Sequence, residues 1–232
     1  MKRSFERNSR TLRPVKFTRN FTINAMSSVL AEFGNTKVIC SVSLDEGRPK
    51  WMDKEDERGW ITAEYSLLPS STQTRVPRER NKISGRTHEI QRLIGRSLRS
   101  CVDLKKLGNY TLTIDADVIQ ADGGTRCASI CGAYVALEDA IEKMIAQGLL
   151  ETSPILEPMG AVSVGIVNGE ILLDLDYSED STAQVDANVV MTKSGKIIEF
   201  QTTAEGFPFE KEKLYEMPNL AQNGINEIIS KY

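Results

Sequence analysis

Hydrophobic positions along the chain change their spacing in a fixed order: alternation, a helical stripe, alternation again, and a second helical stripe. Residues 28–33 and 36–42 flank Gly34-Asn35 and predict two strands joined by a hairpin. A short strand is predicted at 60–65. From 87 to 107 the period is helical, with Ile90, Leu93, Ile94, Leu98, Cys101 and Val102 on one stripe and Gly108 available to end the helix. Residues 109–120 read as a β-branched, partly alternating strand, and 126–147 return to helical spacing. After Pro154 and Pro158, residues 162–167 and 170–175 flank the hairpin turn Asn168-Gly169, and 188–191 and 197–200 flank a turn at 193–196. A last helix is predicted over 211–230, with Pro218 expected to kink or divide it. Strand pairs alternating with single long helices, twice over, imply an α+β fold with mixed sheets and pseudo-twofold internal symmetry, and the length fits one large domain, 1–232, or two tightly joined halves. Two loops exceed ordinary connections: 45–59, which is charged, and 69–85, which carries Arg75, Arg78, Arg80 and Lys82. Such length points to function or mobility.

Composition adds the class. The 232 residues, 40% hydrophobic, suffice for a full core. No stretch approaches the roughly 18 uninterrupted apolar residues of a membrane span, and residues 1–8 lack the apolar core of a secretory signal. A soluble, cytoplasmic protein with no membrane partner is expected. Cys40, Cys101, Cys127 and Cys131 form no Cys-x-x-Cys pair and lie within predicted strands or helices, which favours buried free thiols over a zinc site. The lone His88 excludes a histidine metal cluster.

Net charge, −3 overall, conceals an asymmetry: 14 of the 15 arginines precede residue 100, so the first hundred residues are basic and the remainder acidic. A polyanion partner for the first half is the natural reading, because planar guanidinium groups suit bidentate recognition of phosphate. Arg92, Arg96 and Arg99, at i, i+4 and i+7 on the side of the predicted helix away from its apolar stripe, would form a basic ridge able to follow a phosphate backbone or to meet solvent. Arg86 stands where that helix begins.

The one late arginine, Arg126, closes the run Ala121-Asp122-Gly123-Gly124-Thr125-Arg126 between a predicted strand and a predicted helix. Backbone N–H groups at a helix start lack intrahelical partners, so main chain, the Thr125 hydroxyl and Arg126 together make an anion cradle. The competing reading is an ordinary glycine turn with an N-capping threonine. Asp180 and Asp186, six residues apart across a bend, bring carboxylates together over a divalent cation such as Mg²⁺, supply a proton donor, or belong to a polar loop that caps a helix turn.

Taken together these segments resemble the bacterial ribonuclease PH family over essentially the whole chain. The resemblance rests on Arg10-Thr11-Leu12-Arg13-Pro14-Val15, Gly59-Trp60-Ile61-Thr62-Ala63-Glu64-Tyr65, the run from Gly85 through Arg96, the run from Asp115 through Arg126, and Val162-Ser163-Val164-Gly165-Ile166-Val167-Asn168-Gly169. It implies the ribosomal-protein-S5-domain-2-like fold and a homohexamer built as a trimer of dimers. It also implies a phosphorolytic 3′-to-5′ exoribonuclease that trims transfer RNA precursors, uses inorganic phosphate in place of water, and releases nucleoside 5′-diphosphates. On this resemblance the phosphate site falls on Arg86, Gly124, Thr125 and Arg126, and the acidic pair on Asp180 and Asp186, which would hold Mg²⁺ or assist protonation of the departing oxygen. RNA would be received by Arg75, Arg78 and Arg80 with the ridge Arg92, Arg96 and Arg99. Two rivals remain: a catalytically silent RNA-binding ring subunit, which needs neither Arg126 nor the aspartates, and a phosphotransferase, for which Gly-x-x-x-x-Gly-Lys is missing.

Overall fold

Four layers stack in the computed structural model, which describes residues 3–53, 55–80 and 82–232. The first sheet contains β1 (Val15–Arg19), β2 (Ser27–Phe33), β3 (Thr36–Glu46), β4 (Trp60–Leu67) and β5 (Tyr110–Gln120), in the order β1-β2-β3-β5-β4. Alternation selects its inner face: Val38, Cys40 and Val42 on β3, and Leu112, Ile114, Ala116 and Val118 on β5, are buried. The sheet is mixed, since β4 runs parallel to β5 and the other pairs are antiparallel. That parallel step needs a crossover, which α1 (Gly85–Ser100) and the short α2 (Leu104–Leu107) provide.

The next layer is helical. In α3 (Thr125–Ala146) every position from Cys127 to Leu137 is buried, as befits a helix with sheets on both sides. Beyond it lies the second sheet, made of β6 (Met159–Val167), β7 (Glu170–Leu173), β8 (Val185–Thr192) and β9 (Ile197–Ala204), in the antiparallel order β7-β6-β8-β9. All nine residues of β6 are buried, because α3 covers one face and α5 (Lys211–Ile229) the other. A continuous apolar run is therefore required there rather than alternation. Each half thus sets a long helix after a sheet, which is the repeated order expected, although the halves differ in strand number.

Two predicted helices depart from expectation. The stripe over 87–107 is not one helix. Val102 leaves it to bridge Ile155, the Asp103 amide donates to the Pro154 carbonyl at 2.8 Å, and the Asp103 carboxylate caps α2. A capping aspartate with a cross-chain bridge wins over continued helical spacing. By contrast, α5 runs on through Pro218, which is tolerated without dividing it. The four cysteines are free and buried, as expected. Among the described residues no helix is long and apolar enough to cross a membrane.

Gly132 brings α3 against the first sheet: a Cβ there would lie 2.7 Å from Cys40 Sγ and 2.8 Å from Ala31 Cβ. Alanine would gain about 1 kcal/mol of helix propensity. Overpacking costs about 1–3 kcal/mol, so Gly132→Ala is expected to destabilise the protein. The midpoint of urea denaturation measures this, and a higher midpoint for the variant would contradict the close approach.

Candidate active site

The chain turns from β5 into α3 at Gly123 and Gly124, with φ of +75° and +66°. Gly124 is the N-cap, so Thr125 is the first helical residue and not the capping side chain of the competing reading. Glycine is demanded at 123 for a second reason. A Cβ there would sit 2.6 to 2.7 Å from the backbone of Leu175, Asp176 and Tyr177, the stretch leading into the one-turn helix α4 (Tyr177–Asp180). The turn is tied down by Thr36, whose hydroxyl donates to the Gly123 carbonyl at 2.7 Å and accepts from the Asp122 amide at 2.9 Å. Arg13 completes the fastening. Its Nη1 donates to the Asp122 carbonyl at 2.6 Å, while Nε and Nη2 grip Asp174 at 3.0 and 2.7 Å.

A cavity of about 1000 Å³ opens above this turn. Arg86, from the first turn of α1, and Gly124, Thr125 and Arg126 line it together, so all four expected phosphate ligands meet at one place. Arg126 Nη2 donates to Glu89 at 2.8 Å, whereas its buried Nε has no hydrogen-bond partner. Burial works against the charge of Arg126, but the Glu89 hydrogen bond and charge more than offset it, holding the guanidinium above its usual pKa. Tyr65 donates its hydroxyl to Thr125 Oγ1 at 3.1 Å, which leaves the Thr125 proton free to donate onward. The arrangement supplies fixed donors and two cations to an anion, with first-turn amides that lack intrahelical acceptors.

Asp180 and Asp186 line the same cavity. Asp180 ends α4, and Asp186 is the second residue of β8, paired in register with Gly165 and Thr203. Burial raises both carboxyl groups above their ordinary range. For Asp180 the nearby Arg86 and Arg126 oppose this, while for Asp186 the charge of Asp180 adds to it and pushes the pKa up to about 6. Two half-buried carboxylates, one raising the other, are a donor set that a hard divalent cation would relieve. Mg²⁺ commonly takes only one or two protein carboxylates, and no group of three or more candidate ligands occurs among the described residues.

The remaining basic residues divide. Arg75, Arg78 and Arg80 are exposed on the loop whose Thr72, Gln73, Thr74 and Val76 border the cavity. Arg92 and Arg96 are exposed on α1, but the predicted ridge is cut short at the half-buried Arg99. Arg96 pairs with Glu199 at 2.8 Å, and Arg99 donates to the Ile61 carbonyl at 2.8 Å and lies 4.4 Å over the Trp60 ring. The polar side of α1 faces the edge of β4 and the β9 strand as well as solvent, which explains the difference. Arg13, Tyr65 and Glu89 have roles that spacing alone does not reveal. All three sit inside the sequence runs that carry the family resemblance.

Two family profiles match the chain: 3′ exoribonuclease family, domain 1, over residues 11–141, and 3′ exoribonuclease family, domain 2, over residues 157–224. Among solved structures, it is similar to rice (Oryza sativa) Rrp46, with a TM-score of 0.79 and 21% identity over 97% of this chain and 96% of that one. It is also similar to a chain of the Archaeoglobus fulgidus exosome with RNA bound to the active site, with a TM-score of 0.84 and 22% identity over 99% and 92% of the two chains. A chain of an archaeal exosome core gives 0.78 and 22% over 97% and 88%. At these identities the likeness is one of fold.

The raised carboxyl group of Asp186 has a definite pH signature. Its folded pKa of about 6 lies above an unfolded value of about 3.9. The associated stability is therefore fully present below about pH 4 and lost as pH rises through 6. In metal-free protein, Asp186→Asn should raise stability at pH 7.5 by up to about 3 kcal/mol, less as solvent screens the half-buried group, and leave it nearly unchanged at pH 4. Thermal melts in chelator at the two pH values check this; an equal difference at both would contradict it.

Proposed function

Because this chain belongs to the 3′ exoribonuclease family, we propose that it is an active phosphorolytic member. It removes nucleotides from the 3′ ends of transfer RNA precursors as nucleoside 5′-diphosphates and adds them back in the reverse direction. One observation carries the reading: a glycine turn with two arginines, Arg86 and Arg126, and an acidic pair border a single cavity. Phosphorolysis needs both. An oxygen of inorganic phosphate attacks the last phosphodiester, a new P–O bond forms, the P–O3′ bond breaks, and the departing 3′ oxygen takes a proton.

Phosphate and phosphodiester are both anions, so their approach must be offset by fixed positive charge. Arg86, the Arg126 guanidinium, the Thr125 hydroxyl and the first amides of α3 serve that end. Glu89 engages Arg126 through Nη2 at 2.8 Å and so holds its guanidinium beside the cavity. Asp180 and Asp186 would hold Mg²⁺, which when bound supplies further charge neutralisation at the reacting phosphate. With its raised pKa, Asp186 is also suited to retain a proton near neutral pH. A silent ring subunit would have no use for two carboxylates held half-buried and close enough for one to raise the other. The reading extends to a cytoplasmic homohexamer, a trimer of dimers, in which the exposed Arg75, Arg78 and Arg80 receive the RNA beside the cavity.

Two outcomes are expected. Arg126→Ala should lower phosphate-dependent release of nucleoside diphosphates at least ~100-fold while RNA affinity stays nearly intact; wild-type turnover by the variant would overturn the assignment. In salt titrations of RNA binding, neutralising an arginine among 75, 78 and 80 that touches a phosphate should reduce the slope by roughly 0.7. Arg99→Ala should leave that slope unchanged and lower the melting temperature, since Arg99 is engaged with Ile61 and Trp60. The reverse pattern would restore the α1 ridge as the RNA contact.

A further inference from the structure

The acidic residue Asp180 stands on a helix of four residues, Tyr177–Asp180, which is too short to hold itself together. Its local support is a capping box. The Asp176 carboxylate accepts from the Glu179 amide at 3.1 Å, and the Glu179 carboxylate accepts from the Asp176 amide at 3.0 Å. That box is itself buried and carries negative charge, since Asp176 is 3% and Glu179 1% exposed. Buried carboxylates without counter-charges would be strongly destabilising.

The counter-charges come from the far end of the chain. Arg3 donates Nε to Glu179 Oε1 at 2.6 Å and Nη2 to Oε2 at 3.0 Å, and the same Nη2 reaches the Leu173 carbonyl at 2.7 Å. Arg7 donates Nη1 to the Asp174 carbonyl at 2.7 Å and brings Nη2 to 3.4 Å from Glu179 and 3.5 Å from Asp176. Between them Ser4 donates its hydroxyl to Asp176 Oδ2 at 2.6 Å. The backbone bends for this: Phe5 and Glu6 both adopt left-handed φ, 58° and 55°, which side-chain-bearing residues rarely do. The strained turn returns the chain so that Arg3 and Arg7 enter one acidic pocket. Neither arginine borders the cavity, so neither touches substrate.

We propose that residues 3–7 form a clasp whose Arg3 and Arg7 are positioning residues, holding α4 so that Asp180 is presented to the cavity. The proposal deepens the phosphorolytic reading and rests on it for its kinetic consequence. The arginine side of the cavity meets the segment 174–177 through Arg13 and Gly123, but it has fastenings of its own in Arg13, Thr36 and the start of α3 that use neither Arg3 nor Arg7. Loss of the clasp should therefore impair the acidic side and spare phosphate binding.

The test compares the unaltered protein with Arg3→Gln and with Arg3→Lys, which keeps the charge but not the two-pronged grip. Phosphorolysis of a short oligoribonucleotide is followed at varied phosphate, and hydrogen exchange of backbone amides is followed without RNA. For Arg3→Gln, kcat should fall about tenfold or more with the KM for phosphate within about twofold, and Arg3→Lys should lie between it and the unaltered protein. Exchange over 177–181 should quicken about tenfold while exchange over 123–128 is unchanged. Should Arg3→Gln not fold, Arg3→Lys supplies the same readouts. Unchanged exchange over 177–181, an unchanged kcat, or a phosphate KM that rises in step with the loss of kcat would each overturn the clasp. If the unaltered protein releases no nucleoside diphosphate, the phosphorolytic reading fails, and the exchange comparison alone decides the clasp.

Discussion

The buried ion pair of Arg13 with Asp174 ties the glycine turn to the segment that leads to Asp180. Arg13 is 2% and Asp174 2% exposed, and the carboxylate receives Nε, Nη2 and the Arg13 backbone amide. Nη1 of Arg13 fastens the Asp122 carbonyl, one residue before the glycine turn. One guanidinium therefore binds both the strand end that leads to the phosphate cradle and the segment that leads to Asp180. A buried pair of this kind adds little net stability over an apolar replacement, but losing one partner costs about 3–5 kcal/mol. Its value here is registration. The backbone contact of Gly123 with Leu175, Asp176 and Tyr177 leaves no room for slippage once Arg13 has set the distance.

The same logic accounts for much of the charge asymmetry. A basic first half and an acidic second half suggest a polyanion partner, yet several of the arginines are used inside the molecule. Arg3, Arg7 and Arg13 pair with Glu179, Asp176 and Asp174; Arg19 pairs with Glu138 and Asp139; Arg96 pairs with Glu199. Opposite charge in the two halves thus helps to bring them together. What is left for nucleic acid is narrower than composition implies: Arg86 and Arg126 in the cavity, the exposed arginines on the 69–85 loop, and Arg10, Arg92 and the half-exposed Arg96 on the surface.

Much of the architecture was legible in the hydrophobic pattern, because half-buried strands must alternate and Asn168-Gly169 suits a two-residue hairpin. The edge strand β1 escaped it, since its alternation rests on only two apolar residues, Val15 and Phe17, and the strand is only partly buried. The break between α1 and α2 escaped as well, because it depends on Ile155 and Pro154, more than fifty residues away. At the site, spacing singled out Gly124, Thr125 and Arg126, marked Arg86 at a helix entry and raised Asp180 and Asp186 among competing readings, and the resemblance gave them their roles. Neither gave Arg13 its role, since a buried arginine and a surface one look alike in sequence. Arg99 shows the converse: its position on the polar side of a helix suggested solvent or RNA, and tertiary packing gave it a carbonyl and an indole ring instead.

The central claim is that inorganic phosphate, and not water, is the attacking group in this cavity. Incubating an oligoribonucleotide with Mg²⁺ and ¹⁸O-labelled inorganic phosphate, with mass analysis of the released nucleotides, tests it most directly. The account predicts nucleoside diphosphates whose terminal phosphate carries the label. Unlabelled nucleoside monophosphates, formed equally well without phosphate, would contradict it.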